Sequence, residues 1–226
     1  MALDILFEDN HLIVVNKEPG ALVQGDKTGD ISLIDDVKSF IKIKYKKPGD
    51  VFLGLPHRLD RPTSGIVIMA KTSKALTRLN KMFANHEIKK TYWAVVEEAP
   101  EILKQTLEHY LVKDEKTNKT KAYDKPGKNT KHASLSYELI GSTKHYHLLE
   151  IELHTGRHHQ IRAQLAKIGC HIKGDLKYGS KRSNEDGGIH LHARKVEFIH
   201  PVQKENMTIV AKPPNEQIWN IFRNQQ

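Results

Sequence analysis

Leu55-Pro-His-Arg-Leu-Asp-Arg-Pro-Thr-Ser-Gly-Ile-Val-Ile-Met-Ala70 combines a turn, a strand and a cluster of charged side chains within sixteen residues. Pro62 and Gly65 bracket a Thr-Ser pair, which predicts a turn. Ile66 to Ala70 is a short apolar run rich in β-branched residues, which predicts a buried strand. The single carboxylate of the stretch, Asp60, is therefore expected near a turn at the end of a sheet.

Cationic side chains surround that carboxylate in the sequence, from His57, Arg58 and Arg61. Neighbouring positive charge favours the ionised form of a carboxyl group. Spacing alone leaves two interpretations of Asp60 open: a structural Asp–Arg pair beside a turn, or a functional carboxylate.

The nine residues from His57 to Gly65 resemble the H-R-L-D-x-x-T-S-G signature of the RluA-type pseudouridine synthases and fit it throughout. The resemblance implies that Asp60 is the catalytic residue. It also implies that Arg58 occupies the place in the RNA that the target uridine leaves, and that His57, Arg61 and Thr63 contact the substrate. The preceding turn, Asn16 to Gly20, reads Asn-Lys-Glu-Pro-Gly where the family usually shows Asn-Lys-Pro-x-Gly.

A second stretch, Lys89 to Val96, alternates as a strand does, with Tyr92, Ala94 and Val96 on one face. Taken alone, Tyr92 is a core or edge aromatic residue. The pattern Lys-x-Tyr-x-Ala-x-Val is similar to a family element whose tyrosine stacks on the target base, a contact that any base can make. The resemblance thus implies an active-site role for Tyr92.

A third stretch, Gly156 to Arg162, reads Gly-Arg-His-His-Gln-Ile-Arg, and a helix is expected to begin near His159. Arg162 then lies in its first turn, where anions are favoured and where a guanidinium can bind a carboxylate through two hydrogen bonds. The stretch resembles the family motif G-R-x-H-Q-I-R. This resemblance implies an Arg162–Asp60 salt bridge, a pocket wall at Ile161, and substrate contacts at Arg157 and Gln160.

Two later elements also resemble the family. Gly174-Asp-Leu-Lys-Tyr-Gly179 is similar to G-D-x-x-Y-G, and Leu191-His-Ala193 matches an element that implies Leu191 as an apolar active-site residue. The histidines at 154, 158 and 159 have no carboxylate or cysteine at ligand spacing, so no metal site is expected. The reaction that the resemblance implies neither oxidises nor hydrolyses its substrate, so we expect no cofactor.

The charge balance of the chain is basic, with 36 Lys and Arg against 27 Asp and Glu and a net charge of +9. Such a surplus suggests a polyanionic partner, although a basic protein without one is the alternative. Residues 113–131 contain seven lysines and three acids, and we expect a long, mobile hairpin loop there. That loop is either a solvated surface or an arm that grips a nucleic acid backbone.

The predicted elements come in runs of strands with four helices inserted, which favours an α+β fold with a largely antiparallel, mixed β-sheet core flanked by helices. The resemblance implies the pseudouridine synthase fold. We expect residues 1–226 to form a single catalytic domain, with two closely packed subdomains as the alternative, and no S4 domain in front of it. With one cysteine, no leader-like N-terminus and no long apolar run, a cytoplasmic protein without a membrane span is expected, as a monomer.

The implied function is the isomerisation of specific uridines to pseudouridine in structured RNA, either rRNA or tRNA. The residues alone are also compatible with two other functional classes. A non-catalytic RNA-binding protein shares the basic charge but does not need Asp60, Tyr92 and Arg162 together. A nucleoside-cleaving glycosidase needs two acid–base carboxylates at one bond, and Asp175 is the only nearby second candidate.

Overall fold

The computed structural model describes residues 3–25 and 29–223 of the chain. They fold into two compact units. Unit 1 comprises Met1–Ile88 and Arg194–Pro213, and unit 2 comprises Lys89–Ala193 and Pro214–Gln226. Each unit is therefore discontinuous in sequence and consists of two segments of the chain.

Within the described residues, ten strands and four helices form these units, with a short 3₁₀ turn at Leu176–Tyr178. The strands are β1 (Asp4–Glu8), β2 (Leu12–Lys17), β3 (Ser64–Ala70), β4 (Lys89–Val96), β5 (Lys104–Asp114), β6 (Lys119–Tyr123), β7 (Lys131–Ser142), β8 (His147–Leu153), β9 (Leu191–Ile199) and β10 (Asn206–Val210). The helices are α1 (Leu33–Lys44), α2 (Ser73–Ala84), α3 (Gln160–Lys167) and α4 (Gln217–Arg223). No helix in the described ranges is long and apolar enough to cross a membrane.

In unit 1, β2 lies antiparallel to both β1 and β3, and β10 lies antiparallel to β9. Every residue of β3 is buried, which confirms the strand predicted from Ile66 to Ala70. Helix α1 begins with a capping box, in which the carboxylate of Asp35 accepts from the backbone amide and the hydroxyl of Ser32, at 3.3 and 2.5 Å. Its buried face consists of Leu33, Val37 and Ile41.

In unit 2, the strands follow the order β4-β8-β7-β5-β6, and each neighbouring pair is antiparallel. Strand β4 has the predicted bounds and divides its side chains between two apolar clusters. Ala94 and Val96 pack with α3 residues, whereas Trp93 and Val95 pack with Trp219 and Phe222 of helix α4. The sheet is thus covered on both faces at β4, and the predicted α+β class with a largely antiparallel sheet is confirmed.

The lysine-rich stretch 113–131 is more ordered than expected. Its first part is a regular hairpin, in which β5 and β6 pair from Tyr110↔Tyr123 to Asp114↔Lys119. Lys177 Nζ donates to the carbonyls of Thr117 and Asn118 in the turn, at 3.4 and 3.2 Å. The predicted hairpin is present, but residues 113–114 and 119–123 are strand where a loop was expected, because tertiary contacts hold a strand whose own sequence is polar.

Candidate active site

The turn that carries Asp60 lies in unit 1, directly before β3. The amide of Thr63 donates to the carbonyl of Asp60 at 3.1 Å, which closes a turn over Arg61 and Pro62. This turn precedes the predicted position at Thr63-Ser64, because β3 already begins at Ser64. Asp60 is half-buried, and the adjacent Leu59 is buried in the core. This anchoring fixes the backbone on both sides of the carboxylate. We call residues 55–63 the Asp60 loop.

Lys17 is the main support of this loop. It is 1% exposed, and its ammonium donates to three backbone carbonyls, those of Glu18, Ala21 and Arg61, at 2.9–3.0 Å. Burial lowers the pKa of Lys17 to about 8, while the charge of Asp60 opposes that shift. Lys17 is therefore a buried cation whose field acts on Asp60.

Arg61 connects the same loop to the turn after β2. Its carbonyl accepts the amide of Gly20 at 2.9 Å, and its Nε donates to the carbonyl of Gly20 at 3.0 Å. Its guanidinium also pairs with Asp30 at 2.9 Å, where both side chains are about half exposed. Arg61 thus has a structural position, and its predicted substrate contact stays a prediction.

The other predicted residues of this loop differ in their surroundings. Nε2 of His57 accepts the amide of Ile68 at 2.9 Å, and its ring stacks on Phe83 at 4.7 Å. Arg58 is exposed. Thr63 is buried, and within the described residues its hydroxyl has no hydrogen-bond partner. A buried hydroxyl in this state suits contact with a bound molecule or water.

Three predicted pocket residues belong to one apolar cluster of unit 2. Tyr92 is half-buried on β4, and it packs against a core that includes Ile161 of α3 and Leu191 of β9. Ile161 and Leu191 are 5% and 4% exposed. The structure thus places this ring and these two side chains in one apolar environment, whereas their contact with a substrate stays a prediction.

Arg162 is held by a carboxylate that the sequence did not assign to it. Its Nε and one terminal nitrogen donate to the two oxygens of Asp175, at 2.7 and 2.8 Å. The guanidinium carbon also lies 4.9 Å from the ring centre of Tyr178. Asp175 is 2% exposed, so this is a buried, two-point ion pair. Asp60 and Arg162 belong to different units, and the predicted pair between them stays a prediction.

Gln160 and Arg157 shape the loop that precedes α3. The side-chain oxygen of Gln160 accepts from the amide of Arg157 and the hydroxyl of Thr155, at 3.0 and 2.8 Å, and its nitrogen donates to the carbonyl of Ser134. Arg157 donates its Nε to the carbonyl of His132 at 3.1 Å and is exposed. Gln160 is buried and positions this loop, so any part in substrate binding is a separate prediction.

The adjacent histidines join Arg162 to the β5–β6 hairpin. Nδ1 of His158 lies 2.8 Å from the hydroxyl of Thr120, and Nδ1 of His159 lies 3.0 Å from that of Tyr178. The backbone of His159 has φ = 50°, a left-handed conformation at the start of α3. Across residues 3–25 and 29–223, no three His, Cys, Asp or Glu residues are grouped so that they could hold a metal ion.

Sequence reasoning missed the roles of Lys17, Asp175 and Tyr178. Lys17 was detectable as the one cation of β2, two residues after its apolar run and within the Asn16–Gly20 turn. Asp175 and Tyr178 lie in the Gly174–Gly179 motif, but a pattern of letters does not say which arginine a carboxylate binds. Only the fold brings that motif to α3.

Comparison with known proteins shows the family. A family model described as RNA pseudouridylate synthase matches residues 11–167, which include the Asp60 loop, β4 and α3. The chain belongs to the RNA pseudouridine synthase family. As a member of this family it is an isomerase, and the reaction it catalyses converts uridine to pseudouridine in RNA.

Relatives of this family match nearly the whole chain. An uncharacterized RNA pseudouridine synthase, YhcT of Bacillus subtilis (strain 168), is 34% identical over 215 residues, which cover 94% of this chain and 68% of the relative. The ribosomal large subunit pseudouridine synthase D of Zymomonas mobilis is 32% identical and covers 95% of this chain and 70% of its own. The tRNA pseudouridine synthase C of Pectobacterium carotovorum is 29% identical over 93% of this chain and 59% of its own.

A solved structure supports the fold. The human RNA pseudouridylate synthase domain containing 4 superimposes with a TM-score of 0.80 over 98% of this chain and 93% of its own, at 24% identity. The predicted pseudouridine synthase fold is therefore confirmed.

Proposed function

We propose that this pseudouridine synthase isomerises specific uridines in ribosomal or transfer RNA and that Asp60 is its catalytic residue. The observation that carries the proposal is the family match across a loop whose single carboxylate is supported by the buried ammonium of Lys17. The two substrate classes follow from relatives whose names specify the ribosomal large subunit and tRNA.

The reaction balances without an external reagent. The bond between N1 and C1′ breaks, the base turns over, and C5 forms a bond to C1′. The hydrogen that C5 carried leaves as a proton, and N1 gains one. A carboxylate can act as nucleophile at C6 or at C1′, or as the base that forms a glycal intermediate, and Asp60 suits each route.

The other residues receive roles that fit their surroundings. Because a stacked uridine is inaccessible, it has to leave its helix or loop, and the exposed Arg58 suits insertion into the vacated place. Tyr92 suits stacking on the base, next to the apolar side chains of Ile161 and Leu191. Such an environment limits capture of a reactive sugar by water.

Asp175 argues against a glycosidase. That class needs a second carboxylate as acid or base at the bond that breaks. Asp175 is buried and both of its oxygens accept from Arg162, so it is held as a partner of a cation. Release of uracil from RNA is not expected.

Tritium release from RNA labelled at C5 of uridine tests the proposal. Wild-type protein and the Asp60→Asn variant are incubated with bulk tRNA and with ribosomal RNA transcripts. We expect release with the wild type from one RNA class and a loss of at least about a thousandfold in the variant, with RNA affinity retained. Equal release by both proteins would exclude Asp60 as the catalyst, and no release by the wild type from any of these RNAs would contradict the proposed substrates.

A further inference from the structure

A cleft of about 380 Å³ lies between the edge strand β6 and helix α3 in unit 2. The side chains that give it its chemistry are basic or aromatic: Lys119, Lys121, Tyr123, Lys167, His171 and Tyr178. Thr120 and alanines of both elements complete the lining, which leaves room for a ligand of nucleotide size.

The walls of this cleft are held in place by hydrogen bonds. The amide of Thr120 donates to the phenol oxygen of Tyr178 at 2.7 Å, and the Thr120 hydroxyl bonds to His158. At the other end of β6, Asp124 pairs with Lys167 at 2.9 Å. Tyr178 and the loop before α3 thus hold one end of the strand, and α3 holds the other, so a ligand would not have to order the strand on binding.

The charge of the cleft favours an anion. Lys119, Lys121 and Tyr123 alternate on one face of β6, while Thr120 faces the protein and is 3% exposed. Among the described residues, three carboxylates lie nearby: Asp124 pairs with Lys167, Glu98 pairs with His171 at 3.2 Å, and Asp114 lies opposite Lys119 in the hairpin. Lys121 is exposed at the middle of β6 and is the lysine of this strand best placed to meet an anion.

An aromatic row extends from the same strand. Tyr123 is 47% exposed and lies opposite Tyr110 of β5, which lies opposite His132 of β7. The rings of Tyr110 and His132 are 5.8 Å apart. Aromatic side chains on an open sheet face are one means by which proteins stack single-stranded bases.

We propose that this cleft binds a single-stranded segment of the RNA substrate outside the target uridine, with Lys119 and Lys121 on phosphates and Tyr123 stacked on a base. The inference rests on the proposed function, because it assumes an RNA substrate. Tyr178 connects the cleft to the active-site residues of unit 2, since it lines the cleft and its ring lies against Arg162. In RNA bound here, the nearest groups would be separated from Arg162 by the side chain of Tyr178.

Binding of a fluorescein-labelled oligouridylate, measured by anisotropy at two salt concentrations, tests the cleft directly. We expect Lys121→Glu and Tyr123→Ala to weaken binding about tenfold each, because one removes a phosphate contact and the other a stacked ring. Tyr123→Phe keeps the ring and should bind as the wild type does. Lys144→Glu is the matched control, since it makes the same charge change at an exposed position outside the cleft lining.

The same variants are then assayed for tritium release. The expected result is a higher KM with kcat unchanged at saturating RNA for Lys121→Glu and Tyr123→Ala. If wild-type protein releases tritium and both variants keep its KM and its oligouridylate affinity, the cleft proposal is overturned while the proposed function stands. If Lys144→Glu weakens binding as much as Lys121→Glu does, net charge explains the effect and the cleft is equally excluded. Absence of tritium release by the wild type contradicts the proposed function, and the anisotropy series still decides whether the cleft binds RNA.

Discussion

Lys17 shows how much a single buried residue contributes to the Asp60 loop. An ammonium group has three N–H donors, and here each finds a backbone carbonyl. One of these carbonyls belongs to Arg61, the neighbour of Asp60 in the chain. The positive charge and the shape of the loop therefore depend on the same side chain.

The pKa of Lys17 predicts how stability changes at alkaline pH. Its folded-state pKa of about 8 lies below its usual 10.5, so between these values the unfolded chain binds a proton that the folded chain lacks. The free energy of unfolding should therefore gain a contribution that rises with pH across that window. Urea unfolding of wild type and Lys17→Met at several pH values checks this, and the difference between the two proteins should change from pH 8 to 10. A constant difference would show that Lys17 does not titrate there.

The Arg162–Asp175 pair gives a second prediction at this scale. Asp175→Asn removes a buried negative charge and one of the two oxygens that accept from the Arg162 guanidinium, so we expect the free energy of unfolding to fall by about 3 kcal/mol or more. The exposed pair of Lys104 and Glu138 provides the control, and Glu138→Gln should cost less than about 1 kcal/mol. Urea titrations of both variants measure the contrast. Similar losses in the free energy of unfolding for the two variants would mean that the buried pair stabilises the fold no more than the exposed pair does.

At the scale of elements, Glu8 of β1 connects three elements of unit 1 through hydrogen bonds. Its carboxylate accepts from Lys44 and Tyr45 at the end of α1 and from Lys71 after β3, at 2.6–2.8 Å. Burial opposes its ionisation, yet the three hydrogen bonds lower the pKa of Glu8 to about 2. This one carboxylate therefore joins a helix end and two strands.

We expect Glu8→Gln to lower the free energy of unfolding by about 2 kcal/mol at neutral pH. Because the folded-state pKa of Glu8 lies below its usual 4.5, its contribution is present above that value and is lost as the pH falls toward 2. The difference in stability between wild type and Glu8→Gln should therefore decrease as the pH falls toward 2. Thermal unfolding from pH 7 to pH 2.5 measures the gap, with the exposed Asp50→Asn as control. A gap that persists unchanged in acid would contradict the role of the charge.

The elements also show where a sequence suffices to predict structure. The capping box of α1 and the bounds of β4 follow from local patterns, since caps and alternation are written in neighbouring residues. β6 reads Lys-Thr-Lys-Ala-Tyr and has little strand preference of its own. Its order comes from Tyr178 and α3, which lie far along the chain, so tertiary contacts decide a segment that local chemistry leaves open.

The same distinction holds for the candidate site. Resemblance to family motifs makes Asp60, Tyr92 and Arg162 candidate site residues. The motifs do not locate the partners of Arg162 or the support of the Asp60 loop, which arise from side chains that meet only after folding. Lys17 and Asp175 are of this second kind.

At the scale of the whole molecule, the surplus of nine positive charges sets the expected response to salt. RNA binding that displaces counterions weakens as salt rises, and we expect the logarithm of the association constant to fall against that of salt with a slope of about −3 or steeper. Filter binding of tRNA and ribosomal RNA transcripts between 50 and 300 mM salt gives the slope. A slope near zero would mean that phosphate contacts contribute little to binding.

Chemical modification of the buried amine of Lys17 can measure how often the Asp60 loop opens. An amine whose pKa is near 8 is partly neutral, and so nucleophilic, in mildly alkaline buffer. Since Lys17 is 1% exposed, an acylating reagent can reach it only while the loop is open. The acylation rate of Lys17, measured by mass spectrometry, therefore reports the frequency of loop opening. RNA that holds the loop closed would slow that rate, while exposed lysines elsewhere would keep theirs.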